Sequence, residues 1–316
     1  MRDMSSAKAE VRASAAQDIV RYGRDDDHRK ETLTLLKKGL DDESPRVRAA
    51  VAIALADLEA TDAVPALIVR MEDDDAHVRQ MAITALGEIN DPRSQERLLR
   101  ALADRRPEVR YQAVIAYARV ATDEDDIAKA IGKATRDDDM NVRYIALRLA
   151  EEHGVKSTDV ILRAARLLED DSRDVAIAAG IYLTKAGDPR GHALVLAVVS
   201  GAQRAEKEDE REAVELTGRA GLRQAIGDLE RRAFGLKSKI ADTCSFHAII
   251  ALARMGHEKA IASIEADLAS KNAKKRAAAV VAAGRAVLKR AESQIVALKG
   301  EVDDTLRDES LAALRA

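Results

Sequence analysis

The feature that most constrains this chain is that it repeats itself. The stretch "DDESPRVRAAVAIALADL", Asp41 to Leu58, returns as "DDDAHVRQMAITALGEI", Asp73 to Ile89. Aligned on the Val-Arg pair, units fall at Val11-Arg12, Val47-Arg48, Val78-Arg79, Val109-Arg110 and Val142-Arg143. The next slot, Val175-Ala176, loses the Arg. Glu210-Arg211 is a poorer match, and Cys244-Ser245 fits only by register. Lys275-Arg276 and Leu306-Arg307 restore the Arg. The steps are 31 to 36 residues long. A period of that size marks a stacked array rather than one compact core.

Each unit reads as two helices. Val47, Val51, Leu55 and Leu58 fall at i, i+4, i+8 and i+11, which is one helical face. Val78, Ala82, Leu86, Ile89 and Val109, Ala113, Tyr117, Val120 repeat that stripe. Small Ala at the central positions lets neighbouring helices approach closely. A second helix carries "DAVPALIVRM", "QERLLRALAD" and "DVILRAARLL", with turn signals such as "NDP" at 90–92 and "GDP" at 187–189 between them. One hairpin cannot bury its stripe alone, so it is repeated until neighbours cover each other. The Asp or Ser before each Val-Arg helix suits N-capping. The Arg one turn in can reach that acid or its counterpart in the next unit.

These residues resemble the HEAT-repeat family, in particular its bacterial and archaeal branch of the phycobilisome-lyase type. The matching elements are Asp41…Val47-Arg48, Asp73…Val78-Arg79, Asp104…Val109-Arg110 and Asp137…Val142-Arg143. The resemblance implies an all-α fold, a right-handed α-α superhelix (HEAT-like solenoid) of about nine to ten helical hairpins. In such a solenoid the Val-Arg helices line the concave side. Well-patterned HEAT-like repeats are expected over 1–199 and a charged loop or helix extension over 200–212. Degenerate HEAT-like repeats would continue the same solenoid over 213–316.

Composition agrees with such an array. Hydrophobic residues are 47 % and charged residues 34 %, while aromatics are 2 % and Trp is absent. A net charge of −3 excludes a general polyanion binder, and the single Cys244 excludes an internal disulfide framework and fits a reducing compartment. With no apolar start and no membrane-length apolar stretch, the expectation is a soluble cytoplasmic protein.

Catalytic chemistry finds little footing. Repeated His-Glu pairs would resemble a di-iron HEAT enzyme, but only His257-Glu258 reads so among six histidines. No Gly-rich phosphate loop, nucleophile elbow or paired-Cys zinc spacing is present, so no catalytic residue, metal or cofactor is assigned. Cys244 reads as a core thiol.

The surface residues worth singling out lie two and six positions after each Val: Tyr111 and Ile115, Tyr144 and Arg148, Ile177 and Ile181. Each pair shares a helix face off the core stripe. Either these six form a partner-binding ridge, or Ile177 and Ile181 pack between repeats and the Tyr rings cover them. Charge is also uneven. From Gly227 to Gly300 there are 14 Lys/Arg and 7 Asp/Glu, with clusters at Arg231, Arg232, Lys237, Lys239 and at Lys271, Lys274, Lys275, Arg276. The second cluster is either a patch for an anionic partner or a solvated helical face. The expected role is a non-catalytic protein–protein interaction scaffold that binds a partner on the concave surface. The alternatives are a bilin lyase-type chromophore-attachment subunit, or nucleic-acid binding through the basic C-terminal region.

Overall fold

The structure, a computed structural model, describes residues 2–235 and 244–316. Among these residues helices dominate and no β-strand forms; the one β feature is an isolated bridge between Lys299 and Val302. The chain divides into two compact units, Met1–Arg163 and Ala164–Ala316. The division falls inside the helix Thr158–Leu167.

In the first unit the Val-Arg helices are Ala9–Asp18, Pro45–Asp57, Ala76–Ile89, Pro107–Val120 and Met140–Glu152. Each packs beside the next along the series. The intervening helices Asp26–Gly39, Val64–Arg70, Gln95–Ala101 and Glu124–Ala134 each pack on the Val-Arg helix that follows. The predicted apolar stripes form the core. Val47, Val51, Leu55, Leu58, Val78, Ala82, Leu86, Val109, Ala113, Tyr117 and Val120 are all buried, and only Ile89 at the stripe's end is half-buried.

Helix ends follow from the turn residues. Asp75 accepts hydrogen bonds from the His77 and Val78 N–H groups at 2.9 and 3.1 Å, and Asp139 does the same for Asn141 and Val142 at 2.8 and 3.3 Å. Pro45 and Pro107 stand in the first turn of their helices, where an N–H would lack an intrahelical partner. Ala76–Ile89 ends on Asn90 in the left-handed region at φ 54°, which Asn tolerates. Ala273–Ala286 closes on Val287 at φ 55°, a conformation that strains a β-branched residue.

The second unit is built from Arg173–Ala186, His192–Ser200, Lys207–Arg219, Ile226–Phe234, Ser245–Arg254, Glu258–Leu268, Ala273–Ala286, Glu292–Ala297 and Asp304–Arg315. The charged stretch Ser200–Glu212 lies within it, as a short turn followed by the first residues of Lys207–Arg219. Cys244 is buried in this unit's apolar core.

Two residues of the expected ridge lie in the core instead. Ile177 and Ile181 are 2 % and 0 % exposed and belong to the second unit's core with Val195, Val198, Ala213 and Val214. Their helix is buried through ten consecutive residues, Val175 to Thr184, so it offers no free stripe. The next residue along that stripe, Lys185, is ion-paired to Glu212 of the following helix. Ile177 and Ile181 therefore hold helices together and cannot be an accessible docking surface.

Candidate partner-binding face

The side chain that positions the first unit's open face is the repeated arginine. Arg48 donates to both oxygens of Asp73 at 2.8 and 2.7 Å, and Arg79 donates to both oxygens of Asp104 at 2.8 and 3.0 Å. Arg12 grips Asp42 at 2.8 and 2.7 Å, and Arg110 grips Asp137 at 2.7 and 2.6 Å. In every case the acid belongs to the next unit. Of the two partners the sequence left open, the structure selects the inter-unit one. The remaining guanidinium N–H turns back to the arginine's own turn, at the carbonyl six residues upstream: Ser6, Asp42, Asp73, Asp104 and Asp137 for Arg12, Arg48, Arg79, Arg110 and Arg143. Each acid also accepts the N–H two residues on, as Asp73 does from Asp75 at 3.1 Å and Asp137 from Asp139 at 2.9 Å. Planar, two-pronged pairing of this kind fixes orientation as well as contact, which a lysine could not do.

These acids are held ionised. The Arg12 hydrogen bond draws the Asp42 carboxyl below its ordinary value. Burial alone would raise Asp73, Asp104 and Asp137. Their arginines and turn N–H groups outweigh it, and all three also lie below the usual range. A carboxyl with a lowered folded pKa stabilises the fold fully above its unfolded value, near 4, and that contribution is lost as pH falls through the folded value. Thermal stability is therefore expected to drop as pH is taken below about 4, and more shallowly in Asp73→Asn, whose amide does not titrate. Equal acid slopes for the two proteins in differential scanning calorimetry would contradict this.

With the arginines turned to the inter-unit edge, the residues two and six after Val78, Val109 and Val142 are left partly open, whereas Ala13 and Ala49, earlier in the first of these columns, are buried. Tyr111, Ile115, Tyr144 and Arg148 are all half-buried, and the helices that carry them pack side by side. Arg148 pairs with Glu151 at 3.1 Å. A cleft of about 340 Å³ opens here, lined by Gln80, Pro107, Glu108, Tyr111, Asp139 and Asn141. A second, of about 390 Å³, opens beside Ala49 and Ile53, the equivalent positions two units earlier, with Met81 also on its wall. Met140, not singled out from the sequence, is 42 % exposed and stands four residues before Tyr144 on the same helix face. That i−4 spacing was the signal that could have found it.

The basic patch is less coherent than its sequence suggests. Lys271, Lys274 and Lys275 are exposed, but Lys275 lies 3.4 Å from Asp267. Arg276 takes up the ladder arginine's role: it donates to the Ser270 carbonyl at 2.8 Å and lies 3.5 Å from Glu301, and its side chain is 15 % exposed. Arg231 pairs with Asp228 and Arg232 with Glu210, while Lys237 and Lys239 lie outside the described residues. Among the described residues no group of three or more His, Cys, Asp or Glu could hold a metal ion, and no helix is long and apolar enough to cross a membrane.

Comparison with known proteins agrees with this architecture. A model of HEAT repeats matches residues 4–77 and again 64–131. Among solved structures, Kap95p bound to RanGDP superposes with a TM-score of 0.54 at 13 % identity, over 99 % of this chain and 49 % of that one. The complex of CpcE and CpcF of phycocyanin lyase from Nostoc sp. PCC7120 aligns with a TM-score of 0.43 at 18 % identity, over 74 % of this chain and 92 % of that one. No curated protein matches the chain. The paired helices and the arginine that ties each unit to the next agree with the HEAT-repeat match, which spans residues 4–131.

Proposed function

We propose that this chain is a non-catalytic scaffold that binds another protein on the open face of its first unit, with Tyr111, Ile115, Tyr144 and Arg148 as anchors. The observation that supports the reading is the contrast between equivalent positions. The same two columns that are sealed at Ile177 and Ile181 stay half-exposed at Tyr111, Ile115, Tyr144 and Arg148. Tyr, Arg and Ile beside a cleft match the composition of interface hot spots. The face sits on helices locked by bidentate ion pairs, so a partner would meet a pre-ordered surface and little entropy would be lost on docking.

The test is the double variant Tyr111→Ala with Tyr144→Ala. Both side chains are half-buried at the surface, so far-UV circular dichroism is expected to be unchanged. Proteins retained by the immobilised wild-type chain are expected to be depleted about tenfold or more on the variant, the loss of one or two hot-spot side chains. Undiminished retention would remove this face as the docking site.

A further inference from the structure

We infer that the segment docking on this face carries lysine or arginine beside an aliphatic or aromatic anchor; this rests on the proposed binding face and names the chemistry of its partner. The ladder itself produces the charge. Each guanidinium is spent on the buried acid of the next turn, so the neighbouring acid in that turn is left in excess. Glu43 shares Arg12 with Asp42 and is 87 % exposed, and Asp138 shares Arg110 with Asp137 and is 93 % exposed. Asp74, in the equivalent place, is exposed and its carboxylate has no partner among the described residues. These three rim one end of the Val-Arg helices.

The other end repeats the pattern. Asp57, Glu88 and Glu152 stand ten residues after Val47, Val78 and Val142, one turn beyond the outward-facing columns. All three are exposed, and none of their carboxylates is paired among the described residues. Arginines interrupt both rims: Arg105 at the first, where it reaches the Asp74 carbonyl at 3.4 Å, and Arg21 and Arg119, ten residues after Val11 and Val109, at the second. Acids still outnumber bases 32 to 27 over residues 1–163, whereas 164–316 hold 25 bases and 23 acids. The apolar centre formed by Met140, Tyr144, Tyr111 and Ile115 thus lies between two rows in which exposed carboxylates outnumber arginines. Such a surface attracts a cationic segment over a Debye length and repels an acidic one.

The probe is a random 15-residue peptide display library panned on the full-length chain, with enriched peptides then titrated by fluorescence anisotropy. Enriched sequences are expected to be net positive and to weaken about tenfold or more against Tyr111→Ser with Tyr144→Ser. They should also weaken about tenfold against Asp74→Lys with Glu88→Lys, and further as salt is raised. Peptides that need the tyrosines but are neutral or acidic, and ignore the charge reversal, would overturn this inference and leave the docking face standing. Enrichment indifferent to the tyrosines would overturn the face and the inference together.

Discussion

Replacing Arg79 by alanine is expected to lower the unfolding free energy by about 3 kcal/mol, the low end for removing one partner of a buried ion pair. Arg79 makes four hydrogen bonds, two to Asp104 and two to the carbonyls of Asp73 and Asp74. Its side chain is 5 % exposed and that of Asp104 is 14 % exposed, so water replaces little of what is lost. Asp104 would keep its charge, the Arg106 N–H at 2.9 Å and no guanidinium. The pair's own net worth is smaller than this figure, because most of the cost is the orphaned carboxylate. Arg79→Met with Asp104→Leu is therefore expected to recover much of the loss in urea denaturation. Arg100 gives the contrast. It reaches Glu96 at 2.6 Å with both side chains more than half exposed, and Arg100→Ala is expected to cost no more than about 0.5 kcal/mol. Similar losses for Arg79→Ala and Arg100→Ala would deny the ladder its structural role.

The second large effect concerns two glycines of opposite sign. A Cβ on Gly218, in Lys207–Arg219, would stand 2.6 Å from the Ala251 Cα and 2.8 Å from its carbonyl oxygen. Both atoms are backbone, so no side-chain rotation relieves the overlap, and the two helices must separate. Overpacking of this kind costs about 1–3 kcal/mol, against a helix-propensity gain of about 0.5–1 kcal/mol for losing a glycine. Gly218→Ala is expected to be destabilising by about 2 kcal/mol net. At Gly227, in Ile226–Phe234, a Cβ would meet nothing within 4 Å, so Gly227→Ala is expected to stabilise by about 0.5 kcal/mol or more. Melting temperatures that move in the same direction for both would show that helix propensity, not close approach, governs the site.

Much of the fold was legible because burial in a repeat array is periodic. The stripe from Val47 to Leu58 recurs in the following units, and a helix that must be covered on the same side each time advertises that side by its spacing. The match weakens from Ala176 onward, where the arginine disappears from its slot. The candidate face was only half legible. Tyr111, Ile115, Tyr144 and Arg148 stand on the surface where their spacing put them, whereas Ile177 and Ile181, alike in spacing, are sealed in a core. Arg276 belongs by sequence to a basic cluster, yet its guanidinium is turned to a carbonyl and a neighbouring carboxylate.

Helical spacing and turn chemistry alone determined that paired helices recur, which side of each is apolar, and where an acid and an arginine stand in every turn. These are local properties of a residue and its neighbours within about four positions. Only tertiary packing decided that Arg12, Arg48, Arg79 and Arg110 each cross to the acid of the next unit, 25 to 30 residues away, rather than to their own. Packing likewise decided which outward columns stay open, because the exposure of a helix face depends on what lies across from it, and no window of one helix contains that information.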